Sequence, residues 1–184
     1  VSTTSVKRGA AAIAVALSLI TTNGAAAVAE STAPTATDAK QQLSAGAFAA
    51  ATSRLQNLNS LKCLLIQGTA NDAPAVQYNC TDYADEKWTF EYVGLEVSRQ
   101  YWRIRNVNSG KCLVARGYFD DAVQSACANY ADQHWFIDYD EYQPYVRLIN
   151  RNSRFCLTAK GTANGTRVGQ SYCDEFADEW WYMV

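Results

Sequence analysis

The feature that most constrains this chain is a block of residues that recurs three times at fixed internal offsets. The middle copy runs from Arg103 to Trp135. It contains Arg103, Asn106, Asn108, Ser109, Cys112, Leu113, Gly117, Val123, Gln124, Cys127, Tyr130, Ala131, Asp132 and Trp135. The first copy repeats the order with Arg54, Asn57, Asn59, Ser60, Cys63, Leu64, Gly68, Val76, Gln77, Cys80, Tyr83, Ala84, Asp85 and Trp88. The third does so with Arg147, Asn150, Asn152, Ser153, Cys156, Leu157, Gly161, Val168, Gln170, Cys173, Phe176, Ala177, Asp178 and Trp181. In every copy arginine precedes the first cysteine by nine residues, glycine follows it by five, and tryptophan follows the second cysteine by eight. A period of this size means supersecondary units, each too small to bury its own apolar face and obliged to stack on its neighbours.

Within each unit the pattern is that of strands. Tyr101 to Val107 and Tyr145 to Ile149 alternate in part, and Asn108-Ser109-Gly110 and Asn152-Ser153 supply turn chemistry. A second strand starts at Cys-Leu and ends at the glycine, a third leads to the second cysteine, and a fourth begins at the tryptophan. Four short strands in three copies predict twelve strands, and no stretch of the repeats sustains an amphipathic helix.

Six cysteines permit fifteen pairings, but three equivalent units most simply pair internally: Cys63–Cys80, Cys112–Cys127 and Cys156–Cys173. Each would close a short loop, for which chain entropy gives roughly 3 kcal/mol. Zinc is the competing use of cysteine. The close spacing of a metal knuckle is absent and His134 is the sole histidine, so no metal and no cofactor are expected.

The segment before the repeats is of another kind. Lys7 and Arg8 precede an apolar run from Ala10 to Ile20, and Ala27-Val28-Ala29 matches a small-residue cleavage site. Residues 1–29 therefore read as a secretory signal peptide, the run being too short to span a bilayer; a buried N-terminal helix is the alternative. Val1 as first residue fits a non-ATG start read literally, which points to a bacterium. Residues 30–53 read as a flexible linker or arm: Glu30 to Thr37 as linker, then a weak helix capped by Asp38. Leu43 and Phe48 make it either a spacer or a docking arm. The remainder spans 54–184, with repeats at about 54–95, 101–142 and 145–184. Loss of Lys7 and Arg8 takes the net charge from −2 to −4, and no basic run longer than two residues remains. A secreted, acidic chain of this composition is not expected to bind nucleic acid or to insert in a membrane.

Three units of about 45 residues, each with a cysteine pair and a terminal Q-x-W-like signature, resemble the ricin B-type β-trefoil lectins. Gln133-His134-Trp135 keeps the signature, while Glu86-Lys87-Trp88 and Glu179-Trp180-Trp181 carry glutamate for glutamine. The resemblance implies an all-β fold, a six-stranded barrel capped by three hairpins, with Trp88, Trp135 and Trp181 as structural core near a pseudo-threefold axis. It also implies where sugar would bind. The family's aspartate, two residues after the first cysteine, is replaced by Leu65, Val114 and Thr158. Its stacking aromatic, two before the second cysteine, survives only as Tyr78, with Ser125 and Ser171 in the other copies. Its polar residue, three before the tryptophan, is Asp85, Asp132 or Asp178, each still able to accept a hydroxyl hydrogen bond.

One aromatic–acidic set recurs without fault: Tyr83 with Asp85, Tyr130 with Asp132 and Phe176 with Asp178. It reads either as three shifted sugar sites or as a loop that folds its ring onto the hairpin while the aspartate caps a turn. The repeated Arg54, Arg103 and Arg147, and the repeated Asn57, Asn106 and Asn150, point to a symmetric structural task such as bonding loop carbonyls. Tyr101, Trp102 and Trp180 do not recur in all three copies and so are candidates for a surface patch. Catalysis has little to stand on. The carboxylate clusters Asp120–Asp121, Asp138 with Asp140 and Glu141, and Asp174–Glu175 are local in sequence and read as solvated turns. The chain is therefore expected to be a secreted, non-catalytic, lectin-like module for carbohydrate or polysaccharide, with Tyr78 and Asp85 as its least altered site. The alternatives are an adaptor that binds another secreted protein, docking through its N-terminal arm, and an inhibitor of a secreted hydrolase.

Overall fold

The computed structural model describes residues 52–139 and 142–184. The signal peptide and the arm with Leu43 and Phe48 lie outside the described residues, apart from Thr52 and Ser53. Ser53 already pairs with Trp88.

Twelve strands form among the described residues, four per repeat, as the pattern requires. They are β1 (Ser53–Asn57), β2 (Cys63–Ile66), β3 (Ala75–Tyr78) and β4 (Lys87–Glu96), then β5 (Arg99–Asn106), β6 (Cys112–Val114), β7 (Val123–Ser125) and β8 (His134–Tyr139). The third repeat supplies β9 (Tyr145–Asn150), β10 (Cys156–Ala159), β11 (Thr166–Ser171) and β12 (Trp180–Met183). Antiparallel pairing runs β1–β4–β5–β8–β9–β12 and returns to β1, so these strands close a barrel and leave no open edge. The hairpins β2–β3, β6–β7 and β10–β11 cap it. They touch one another around the axis through β3–β11 pairing and through bridges Pro74–Val123 and Asp121–Gly169.

The core is the inner face of this barrel and cap. Trp88, Trp135 and Trp181 are wholly buried, and each indole N–H donates to the carbonyl of the leucine after the first cysteine of its own repeat. The distances to Leu64, Leu113 and Leu157 are 3.0, 3.1 and 2.9 Å. Tryptophan is needed because the site demands both a large apolar body and a donor at its tip. The three disulfides form within the repeats, Cys63–Cys80, Cys112–Cys127 and Cys156–Cys173.

The repeated polar residues tie each repeat to the one before it. Asn106 Nδ2 donates to the Asp85 carbonyl at 2.7 Å, Asn150 to Asp132 at 2.9 Å, and Asn57 to Asp178 at 2.8 Å. The same asparagines accept from the backbone N–H groups two and three residues on, which shapes the turn into the next strand. The serine of that turn donates to the buried glutamine of its repeat, Gln77, Gln124 or Gln170. That glutamine then donates to the repeated glycine carbonyl of the preceding copy: Gln124 to Gly68, Gln170 to Gly117 and Gln77 to Gly161. The asparagine–aspartate and glutamine–glycine bonds cross repeat boundaries, so the polar set is as much a part of the fold as the tryptophans.

Candidate functional site

Between the second cysteine and the tryptophan of each repeat lies a single 3-10 turn: Ala84–Glu86, Ala131–Gln133 and Ala177–Glu179. The strand pattern does not predict these short turns. In each, the aspartate has its backbone carbonyl pinned by the asparagine of the next repeat, and the following Glu or Gln points inward. Gln133 shows why that inward residue matters. Its Oε1 accepts from the Ala128 N–H at 2.7 Å and its Nε2 donates to the Ala126 carbonyl at 3.0 Å, which closes the loop before the turn. Glu86 does the accepting half alone, from the Thr81 N–H and hydroxyl.

The residue just before each turn is the aromatic of the repeated set. Tyr83, Tyr130 and Phe176 are 72%, 67% and 68% exposed. They do not fold onto the hairpin, and no aspartate side chain caps a turn N-terminus there. Each ring stands out from a loop that is fixed from below, beside Asp85, Asp132 or Asp178. The Oδ1 atoms of Asp132 and Asp178 are buried and have no hydrogen-bond partner. A carboxylate oxygen without a donor is uncommon in a native fold.

The positions that bind sugar in the resembled lectins are occupied differently in each repeat. Leu65, Val114 and Thr158 are buried on the strand after the first cysteine. The next residue in repeat two, Ala115, donates its N–H to the Asp132 carbonyl at 3.1 Å, so this strand end and the 3-10 turn do meet. In repeat three Thr158 and Ser171 hydroxyls lie 2.6 Å apart, and Ser171 donates onward to Glu179 at 3.3 Å. Those polar groups are satisfied by one another. In repeat one Tyr78 ends β3 half-buried, with its hydroxyl over Gly165, and no hydrogen bond joins it to Asp85.

Glu179 is buried, and that burial pushes its carboxyl up to about 7, helped by Asp178 and Asp174 and opposed by the Asp174 N–H and the Ser171 hydroxyl. The folded state thus holds this proton more tightly than an ordinary glutamate between pH 4.5 and about 7. Stability from this group is fullest below pH 4.5 and is lost as pH rises through about 7. A shift of that size is worth about 3 kcal/mol for a fully shielded group, and water beside the loop reduces it to about 1–2 kcal/mol. Glu179→Gln, which supplies the amide that Gln133 has, is expected to flatten this slope and stabilise the protein by that amount at pH 8. Urea midpoints of both proteins at pH 5 and pH 8 check it; parallel changes would refute the assignment.

Trp102 is buried, 3% exposed, and is no part of a surface patch. The alternation that places Ile104 inside places Trp102 inside too. Tyr101 is half-buried, covered by the Arg151 guanidinium 4.2 Å above its ring. Trp180, by contrast, lines an open cleft. Asp138 is not in a solvated turn: it lies on β8 and pairs with Arg147 at 2.9 Å. His134 begins β8, and burial holds its imidazole below the ordinary range, with Arg151 and Arg103 adding to the effect. Arg54 and Arg147 bond loop carbonyls, of Thr81 and Asp174, as expected of them, while Arg103 faces Glu91 at 3.7 Å. The repeat pattern gives no sign of an aromatic cluster formed by Tyr118, Phe119, Phe155 and Tyr172, with centroids about 5 Å apart. Its signal is a departure from the repeat, since the positions of Phe155 and Tyr172 are Lys62 and Asn79 in repeat one, and Lys111 and Ala126 in repeat two.

A closed β-trefoil with intra-repeat disulfides and inward Glu/Gln beside a core tryptophan defines a class. The model of the ricin-type beta-trefoil lectin domain-like family matches residues 39–113 and 84–171. The chain belongs to that family. No curated protein matches it. Among solved structures it is similar to ThreeFoil, a designed 3-fold symmetric protein, at 22% identity and TM-score 0.66, covering 72% of this chain and 97% of that one. It is similar to a Macrolepiota procera ricin B-like lectin, solved in complex with lactose, at 20% identity and TM-score 0.59, covering 72% and 94%. It is also similar to 1,3Gal43A, an exo-beta-1,3-galactanase from Clostridium thermocellum, at 22% identity and TM-score 0.67, covering 73% of this chain but 30% of that one. These likenesses concern the fold.

Proposed function

We propose that this protein is an exported, non-catalytic carbohydrate-binding module whose sugar sites have moved from the family's usual position to the aromatic–aspartate loops. The observation that carries this reading is the exposure of Tyr83, Tyr130 and Phe176 on loops whose backbone is locked by buried hydrogen bonds. Folding gains little from a ring held in water, whereas a ring so presented stacks on the apolar face of a sugar while the adjacent aspartate accepts its hydroxyls. Membership of a lectin-like family, with a neighbour solved in complex with lactose, supports the same ligand class. The three disulfides are consistent with export.

A glycan array and pull-down on insoluble polysaccharides with the mature protein test this. Binding competed by free sugar is expected, and the Tyr83→Ala/Tyr130→Ala/Phe176→Ala variant is expected to bind at least about tenfold more weakly, since each lost stacking contact is worth about 1 kcal/mol and the sites act together. A folded, disulfide-bonded protein that binds no glycan would refute it. One observation favours a protein partner instead: Tyr118, Phe119 and Tyr172 are 69%, 50% and 60% exposed in a cluster found in a single repeat. Aromatic clusters of that kind anchor protein interfaces.

A further inference from the structure

In a threefold fold, a position whose side chain differs between repeats marks a place where the surroundings of the repeats differ. Such a position occurs where the residue before the repeat tryptophan meets the start of the next repeat. The backbone is the same in each copy: the N–H of Val107, Arg151 or Leu58 donates to the carbonyl of Lys87, His134 or Trp180, at 2.8–2.9 Å. The side chains differ. In repeat one Lys87 turns to Asp82 at 2.8 Å. In repeat two Arg151 fills the space, 4.2 Å over the Tyr101 ring and 3.3 Å from His134 Nδ1, and Glu96 of the β4–β5 hairpin holds it at 2.6 Å. In repeat three the position of that arginine is taken by Leu58, too short to occupy the space.

Leu58 lines a cleft of about 510 Å³ between the turn Ala177–Glu179 and the strands β8 and β9. That volume suits a small-molecule site. Three aromatics line it: Trp180 and Tyr145 meet edge to face at 5.0 Å, and Tyr139 is 53% exposed. Its charged groups are Arg147, Asp138 and Glu175. The Arg147 guanidinium lies 4.5 Å over Trp180, bonds Asp138 at 2.9 Å and reaches Glu175 at 3.4 Å. Among the described residues that line the cleft, Arg147 is the single cation against two carboxylates, while Arg99, outside the lining, stands 3.9 Å from Asp138.

We infer that this cleft, which the third aromatic–aspartate loop borders through Glu175 and Ala177, is a saccharide site in addition to the exposed loop rings, and that it takes a neutral sugar and rejects an acidic one. The inference rests on the carbohydrate reading given above. Aromatic walls with converging hydrogen-bonding groups suit a ring that is apolar on its faces and hydroxylated on its rim. A sugar carboxylate would face Asp138 and Glu175 with the lining cation, Arg147, already paired.

The test uses the mature protein and its triple loop variant, titrated by calorimetry with lactose, cellobiose and digalacturonic acid, and by glycan array. Residual binding of a neutral saccharide is expected in the triple variant. Adding Leu58→Arg, which fills the cleft as Arg151 does in repeat two, is expected to abolish it. Trp180→Ala is expected to weaken it about tenfold, the equivalent of about 1.4 kcal/mol, and digalacturonic acid is expected not to bind. If the triple variant has already lost all binding, or keeps it undiminished after Leu58→Arg, the cleft is not a site while the carbohydrate reading stands. If digalacturonic acid binds as well as the neutral sugars, the charge selection is wrong. If the unaltered protein binds no saccharide on the array or in solution, both readings fall.

Discussion

Trp135→Ala is expected to cost about 5 kcal/mol, enough to remove most of the stability of a domain of this size. The indole is wholly buried, and its removal leaves a cavity worth about 3–5 kcal/mol. It also strands the Leu113 carbonyl, which receives the indole N–H at 3.1 Å in the buried core. The two costs overlap because a cavity that admits water partly satisfies the carbonyl. Trp135→Phe separates them: most of the apolar volume stays, the bond goes, and about 2 kcal/mol is expected. Urea denaturation followed by circular dichroism reads both. An alanine variant within about 1 kcal/mol of the original would show that the barrel closes without this anchor.

Asn106→Ala is expected to cost about 3–4 kcal/mol, although it removes only a small side chain. Asn106 is completely buried and makes three hydrogen bonds: to the Asp85 carbonyl at 2.7 Å, and from the Asn108 and Ser109 N–H groups at 3.1 Å each. Alanine leaves all three backbone groups without these partners, at roughly 1 kcal/mol or more apiece. The bond to Asp85 also holds the first repeat's 3-10 turn against the second repeat, so the loop carrying Tyr83 is expected to loosen with it. Asn108→Ala is the control. Asn108 recurs in every copy as faithfully as Asn106, but its side chain is exposed and only its backbone enters the turn, so a change within about 0.5 kcal/mol is expected. Equal losses at the two positions would mean that the turn itself, not the bond between repeats, carries the energy. Amide hydrogen exchange at Tyr83 to Glu86 would report the loosening directly.

The contrast between those two asparagines shows how far the repeat pattern can be read. Recurrence marks both as structural, and both lie in the same turn; which one is buried depends on what the preceding repeat brings against it. The same holds for the unmatched aromatics. Trp102 and Trp180 are both candidates for the surface by their lack of counterparts, and alternation along β5 is the available sign that Trp102 faces inward with Ile104. The structure buries Trp102, edge-on to Tyr92 at 5.5 Å and opposite Trp135 on the neighbouring strand. Trp180 lies beside a cleft that Leu58, 122 residues earlier in the chain, helps to line. The sugar-site positions inherited from the family divide in the same way. That Leu65, Val114 and Thr158 lack a carboxylate is plain from their identity. That Thr158, Ser171 and Glu179 bond one another appears only in three dimensions.

What the amino-acid order determined by itself was everything repeated in the same order: the number of units, the strands within them, the cysteine partners and the three core tryptophans. These follow from local spacing, because strand period and loop length act over a few residues and a threefold pattern states them three times. What only the tertiary structure decided was which side chains cross from one repeat to the next, which loop aromatics stay in water, and where the symmetry fails and a cleft opens. Those outcomes depend on pairs of residues far apart in the chain, whose approach is fixed by closure of the barrel and not by anything adjacent to either of them.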